Sequence, residues 1–180
     1  MLNRIANPHV RSLVEWLIAI GLAVLFFFFA RNFLFRVAHV DGSSMNPTLE
    51  HGDMVILNRL GLLLSNPRPG DIVAFPYPNN PSEHHIKRII GTPGDTVDMR
   101  DGFFYVNNER LDDDFSQERV FAMWDVSFPL TVEDDVFFVL GDNRNASKDS
   151  RFSTVGNIHA SDMVGRVILR VWPLGRFGNV

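Results

Sequence analysis

Thr96-Val97-Asp98-Met99-Arg100-Asp101-Gly102-Phe103-Phe104-Tyr105-Val106 sets two short runs with apolar, β-branched and aromatic residues on either side of an Asp-Gly pair. Asp-Gly tolerates the positive φ that a tight hairpin requires, so the stretch reads as strand, turn, strand. The same pattern extends outward. Asn107-Asn108 is a second candidate turn, and short strand-like runs occur at Phe35–Val40, Met54–Asn58, Asp71–Phe75, His85–Ile90, Val136–Leu140 and Met163–Trp172. Gly, Pro, Asn and Asp punctuate these runs, which predicts a mainly β fold: an antiparallel, barrel-like domain over 37–180 with a small β insertion at about 96–135. Leu60–Pro69 is apolar and then Pro-rich, and reads either as an exposed loop that dips into lipid or as a core-facing turn. Arg110–Asp135, with Asp112-Asp113-Asp114, reads as a solvated surface insertion.

Residues 1–36 are of a different kind. Trp16 to Ala30 carries no charged residue and includes Phe26-Phe27-Phe28-Phe29. As a helix it spans about 22 Å, and Val14 with Phe33, Leu34 and Phe35 extends it toward a bilayer's thickness if Arg31 reaches back to the interface. One transmembrane helix follows. A cleavable signal peptide is the rival reading, but cutting after Ala30 would put Phe28 where a small side chain is needed. Arg4 and Arg11 before the apolar run oppose Arg31 and Arg36 after it, so charge counting does not orient the helix.

Composition removes several function classes. A formal charge of −4 gives no broad basic field for nucleic acid. With no cysteine there is no disulfide, thiol nucleophile or thiolate-bound zinc, and the six histidines show no H-E-x-x-H spacing, so no metal site is expected.

Three segments hold residues that suit catalysis. Gly42-Ser43-Ser44-Met45-Asn46-Pro47-Thr48-Leu49 can present a serine and backbone N–H groups to one space, though a Ser-rich turn needs no catalysis to explain it. His84-His85-Ile86-Lys87-Arg88-Ile89-Ile90 places two cations between isoleucines on a strand. Alternation sends Lys87 and Arg88 to opposite faces without saying which is buried. A desolvated Lys can lose its proton and act as a base, whereas Arg cannot; two solvated cations on an edge strand are the alternative. Gly141 to Arg151 (Gly-Asp-Asn-Arg-Asn-Ala-Ser-Lys-Asp-Ser-Arg) packs donors, acceptors and opposite charges into one loop, as a hydrogen-bonded scaffold would. Ser-His chemistry with His51 or His85 remains open, since no spacing selects either.

In order, Ser44-Met45-Asn46-Pro47-Thr48-Leu49, Gly52-Asp53-Met54-Val55, Lys87-Arg88-Ile89-Ile90-Gly91-Thr92-Pro93-Gly94-Asp95 and Gly141 through Arg151 resemble the sequence boxes of bacterial type I signal peptidases. The resemblance implies a Ser44 nucleophile, a Lys87 general base, Ser147 hydrogen-bonded to the lysine amine, an Asp149–Arg151 ion pair, and Asp142 and Arg144 holding the loop. It implies an oxyanion region at Gly42, Ser43 and Ser44, with Gly42 where some members carry a donating Ser. Shallow apolar pockets for small substrate side chains are implied too, and Val40, Phe75 and Ile86 are expected to wall them. No cofactor is implied; the partners are preprotein signal peptides and membrane lipid, with the N-terminus inside the cytoplasmic membrane and the β domain outside. Self-cleaving repressors share a related core but carry a DNA-binding domain in place of the helix. A non-enzymatic, membrane-tethered β binding module is the alternative from another class, and it predicts that Ser44 and Lys87 are dispensable.

Overall fold

A computed structural model of the protein describes residues 8–112, 119–121 and 124–180. Arg4, Asp113 and Asp114, and the side chain of Arg31, lie outside what it describes. Contacts divide the chain into two units, Met1–Phe35 and Arg36–Val180.

Among its described residues, the first unit holds one helix, α1 (Pro8–Phe33). Its sequence is dominated by Leu, Ile, Val, Ala and Phe, apolar on all sides rather than along one stripe. His9–Phe28 has a mean hydropathy of 2.0 and is long and apolar enough to cross a bilayer.

After the helix come β1 (Phe35–His39), whose first residue closes the first unit, then β2 (Met54–Asn58), α2 (Leu60–Leu64), β3 (Ile72–Tyr77) and β4 (Asn80–Gly91). The chain continues with β5 (Thr96–Arg100), β6 (Phe103–Val106), β7 (Glu109–Arg110), β8 (Leu130–Thr131), β9 (Val136–Leu140), β10 (Ile158–His159), β11 (Gly165–Trp172) and β12 (Gly178–Asn179). The larger sheet runs β1-β2-β11-β3-β4-β9-β10 with β12 beside β11, and the smaller runs β7-β6-β5-β8. The fold is therefore mainly antiparallel β with one apolar N-terminal helix, the class that the hairpin pattern predicts. In that hairpin Arg100 pairs with Phe103 across Asp101 (φ 52°) and Gly102 (φ 81°). Asn107 and Asn108, also at positive φ, turn β6 into β7 in the same way.

Two readings change. Leu60–Leu64 is a short helix, closed where Asn58 Oδ1 accepts the Gly61 N–H (2.9 Å) and Ser65 Oγ donates to the Gly61 carbonyl (2.9 Å). Leu62 packs on a core cluster, whereas Leu60 and Leu64, four residues apart on the other side, face out. The stretch 110–135 is not merely a solvated insertion. Its Val120 and Val132 are buried, β8 completes the small sheet, and Phe128 packs edge-on against Phe104 and Phe138. Apolar residues dispersed among acidic ones conceal a core contribution from pattern reading, because only the ring positions show it.

Candidate active site

Ser44 lies in the turn between β1 and β2. Gly42 (φ 92°) redirects the chain, Asn46 N–H closes on the Ser43 carbonyl (3.1 Å), and Leu49 N–H on the Met45 carbonyl (2.9 Å). Met45 and Leu49 are fully buried, so their side chains pin the turn from below and leave Ser44 half-buried at its surface.

Lys87 comes from β4, held between β3 and β9, where it pairs with Val73. It is 3% exposed, and its Nζ lies 2.8 Å from Ser44 Oγ and donates to the Ile86 carbonyl (3.0 Å). Burial pushes its ammonium down to about 8, against Asp149 and Asp142, whose charges favour the protonated form, and with Arg151, which opposes it. The neighbouring cation turns the other way. Arg88 makes a two-pronged pair with Asp142 (Nε–Oδ1 2.8 Å, Nη2–Oδ2 2.7 Å) and donates to the Gly70 carbonyl (2.8 Å). Alternation separates the two, and burial distinguishes their chemistry.

The loop after β9 braces both. Asp149 and Arg151, each fully buried, pair through Nε–Oδ1 (2.7 Å) and Nη2–Oδ2 (2.8 Å), and Asp149 Oδ2 also accepts the Gly141 N–H (3.0 Å). Asn143 donates from its backbone to the Ser44 carbonyl (3.0 Å) and from its side chain to the Ser43 carbonyl (3.1 Å). Thr48 Oγ1 donates to Asp142 (2.6 Å), tying the nucleophile turn to the same carboxylate that holds Arg88. Arg144 donates to the Gly141 carbonyl (3.1 Å), with its guanidinium 5.9 Å from the Phe104 ring. Gly141 has no room for a side chain: a Cβ there would lie 2.2 Å from Ser147 Oγ and 2.4 Å from the Ser44 carbonyl oxygen.

Two expectations require correction. Ser147 Oγ is buried and makes no hydrogen bond, so it does not orient the lysine amine; Nζ is directed instead at Ser44 and the Ile86 carbonyl. Phe75 is fully buried in a core cluster with Val73 and Ile89 and does not wall the cleft. Val40 and Ile86 do line it, with Gly42, Ser43, Ser44 and Lys87, around about 490 Å³. Neither histidine engages the serine. His51 Nδ1 faces Asp41 (3.1 Å), and His85 stacks on Tyr77 (centroids 4.6 Å apart) with its pKa lowered by burial and by the charge of Lys87. Thr48, Arg88, Gly141 and Asn143 all stand inside the quoted boxes, but only these contacts between segments show what each one holds.

Comparison with known proteins adds the family. The family model described as signal peptidase, peptidase S26, matches residues 13–172. The chain belongs to that family. A signal peptidase I of Leptolyngbya laminosa is 36% identical over an alignment covering 97% of this chain and 88% of the relative. Signal peptidase I S of Bacillus subtilis is 38% identical, covering 78% and 79%. A crystal structure of a signal peptidase I from Enterococcus faecalis is 34% identical over 57% of this chain and 97% of that one, with a TM-score of 0.48. The peptidase S26 match includes the whole β1–β2 turn, Lys87 and the Gly141–Arg151 loop.

Proposed function

We propose that this signal peptidase family member is a membrane-anchored serine endopeptidase that removes signal peptides from exported preproteins, with Ser44 as nucleophile and Lys87 as general base. The single observation that carries the reading is the 2.8 Å approach of a buried lysine amine to a serine hydroxyl at the floor of an open cleft. With its ammonium at about 8, roughly a tenth of Lys87 is neutral at pH 7, against well under a thousandth for a free lysine. Neutral Nζ accepts the Ser44 proton while its own N–H bonds the Ile86 carbonyl, which directs the lone pair at Oγ. Oγ attacks the scissile carbonyl, Nζ passes the proton to the leaving amine, and water then attacks the acyl-enzyme with Nζ again as base.

The Ser44 backbone N–H is the proposed oxyanion donor, in a turn that Asn143 holds by both the Ser43 and Ser44 carbonyls. Val40 and Ile86 restrict the space beside Ser44, which favours a small residue before the cut, and an extended substrate adds along the Glu83–Ile86 part of β4. α1 is the anchor, with the N-terminus inside and the β unit on the extracytoplasmic face; no metal or cofactor takes part.

Incubating detergent-solubilised protein with a preprotein tests the assignment. Ser44→Ala and Lys87→Met should abolish processing, and wild-type kcat/KM should fall on the acidic side with an apparent pKa of about 8. Unimpaired cleavage by either variant, or a profile flat from about pH 6 to 10, would sink the dyad, and an inert wild type would favour a binding module.

A further inference from the structure

We propose that Lys148 is a specificity residue, whose ammonium selects a carboxylate side chain on the second substrate residue before the cut. This rests on the proposed Ser44/Lys87 reaction and on the extended course of the substrate along β4.

The first support is the strand itself. β3 pairs with β4 from Arg88 back to Asn80, but β9 reaches β4 only from Arg88 onward, so among the described residues the other edge of Glu83–Lys87 is open. An extended peptide laid along that edge continues the sheet, and its side chains alternate between the two faces as those of β4 do. His84 and Ile86 share one face, where they line a recess of about 260 Å³ with Ala38, Leu57 and Val164. His85 and Lys87 share the other. The small residue before the cut lies beside Ile86, so the residue that precedes it turns to the His85 side.

The second support is what stands on that side. His85 stacks on Tyr77, and Lys148 places its Nζ 5.1 Å from the centre of the same ring and donates to the Tyr77 hydroxyl (2.8 Å). Lys148 and Ala146 line the cleft together with Ser44 and His85. The charge of Lys148 reaches His85, whose pKa is lowered by burial first, then by Lys87, and also by Lys148. The ring is therefore neutral where Lys87 works, and the cation of that wall is Lys148.

The third support is the want of a counter-charge. Asp142 and Asp149, on the same loop, are taken by Arg88 and Arg151. Lys148 faces a phenol hydroxyl, and among the described residues no carboxylate lies at ion-pair distance from it. Asp125, which feels its charge, is bound to the Ser153 N–H (2.6 Å) and hydroxyl (2.8 Å). Glu83 stands one alternation further from the cut and is held by His85 (3.2 Å), and Asp41 faces His51. A cation fixed at the cleft wall by a neutral partner favours a substrate carboxylate and disfavours a second cation.

The test uses the full chain in detergent and short peptides that carry one cleavage site and differ only in Glu, Gln or Lys at the second residue before the cut. Wild-type kcat/KM should fall in the order Glu, Gln, Lys, with about fivefold between the extremes. The difference should lie in KM rather than kcat and shrink as salt is raised, because the contact is equally present before and during the reaction. Lys148→Glu should invert the order, Lys148→Ala should flatten it, and Lys148→Arg should keep it. Tyr77→Phe, which removes the hydroxyl that holds the ammonium and keeps the ring, should weaken the preference without inverting it. A wild type indifferent to these three residues, or a Lys148→Glu variant that keeps the wild-type order, overturns the inference, while cleavage lost in Ser44→Ala leaves the dyad standing. A charge preference that Lys148→Glu inverts only at the first residue after the cut puts Lys148 on the leaving side and overturns it too. If wild type cuts none of the peptides and no preprotein, the reaction fails and the inference with it.

Discussion

At the scale of single residues, the site stands on a lysine placed where lysine is costly. Below pH 8 the Lys87 ammonium is charged in both the folded and unfolded chain, and folding must desolvate it. As pH rises from about 8 toward 10.5, the folded state sheds the proton first, so wild-type stability should climb across that window. Lys87→Met, which carries no such charge, should be more stable than wild type at pH 7, by about 3 kcal/mol before subtracting its lost hydrogen bonds, and the gap should close above pH 10. Melting temperatures of the two proteins from pH 6.5 to 10.5 would show a constant gap if the lysine were not desolvated. Gly141 is the other residue with no tolerance. A Cβ there would overlap Ser147 Oγ and the Ser44 carbonyl, so Gly141→Ala should cost about 1–3 kcal/mol of stability and lower kcat more than it raises KM. Wild-type kinetics from that variant would mean the loop can yield without moving Ser44.

At the scale of elements, three segments far apart in the chain meet through a few shared acceptors. Asp142 accepts from Arg88 on β4 and from Thr48 behind the nucleophile, and Asp149 accepts from Arg151 and from the Gly141 amide. Arg151→Met should therefore cost about 3–5 kcal/mol, because it leaves the Asp149 carboxylate buried without its cation, and chemical denaturation would measure it. Gly102→Ala places a side chain at φ 81° beside the Val120 backbone and should destabilise by about 1 kcal/mol or more while leaving kcat/KM unchanged. A drop in activity from Gly102→Ala would show that the small sheet supports the cleft, in addition to extending the core through Val120, Val132 and Phe128.

At the scale of the whole molecule, the apolar helix and the β unit are legible separately and for different reasons. The charge-free run from Trp16 to Ala30 declares α1 by composition, and the proposed topology predicts that external protease on intact cells degrades the β unit and spares a tag added ahead of Met1. Digestion of the tag as well would reverse the orientation. The antiparallel β class was visible because side-chain alternation and Asp-Gly turns are local properties, and the order of Ser44, Lys87 and the Gly141–Arg151 loop was visible because each box is contiguous. Distances between segments are not local. That Lys87 rather than Arg88 faces the serine, that Ser147 Oγ makes no hydrogen bond to the amine, that Phe75 belongs to the core, and that Thr48 and Asn143 hold the nucleophile turn all depend on which strand face is covered by which neighbour. Alternation in β4 permits either cation to be buried. Only the packing of β3 and β9 on each side, with the Asp142 carboxylate waiting for Arg88, decides which one loses its water.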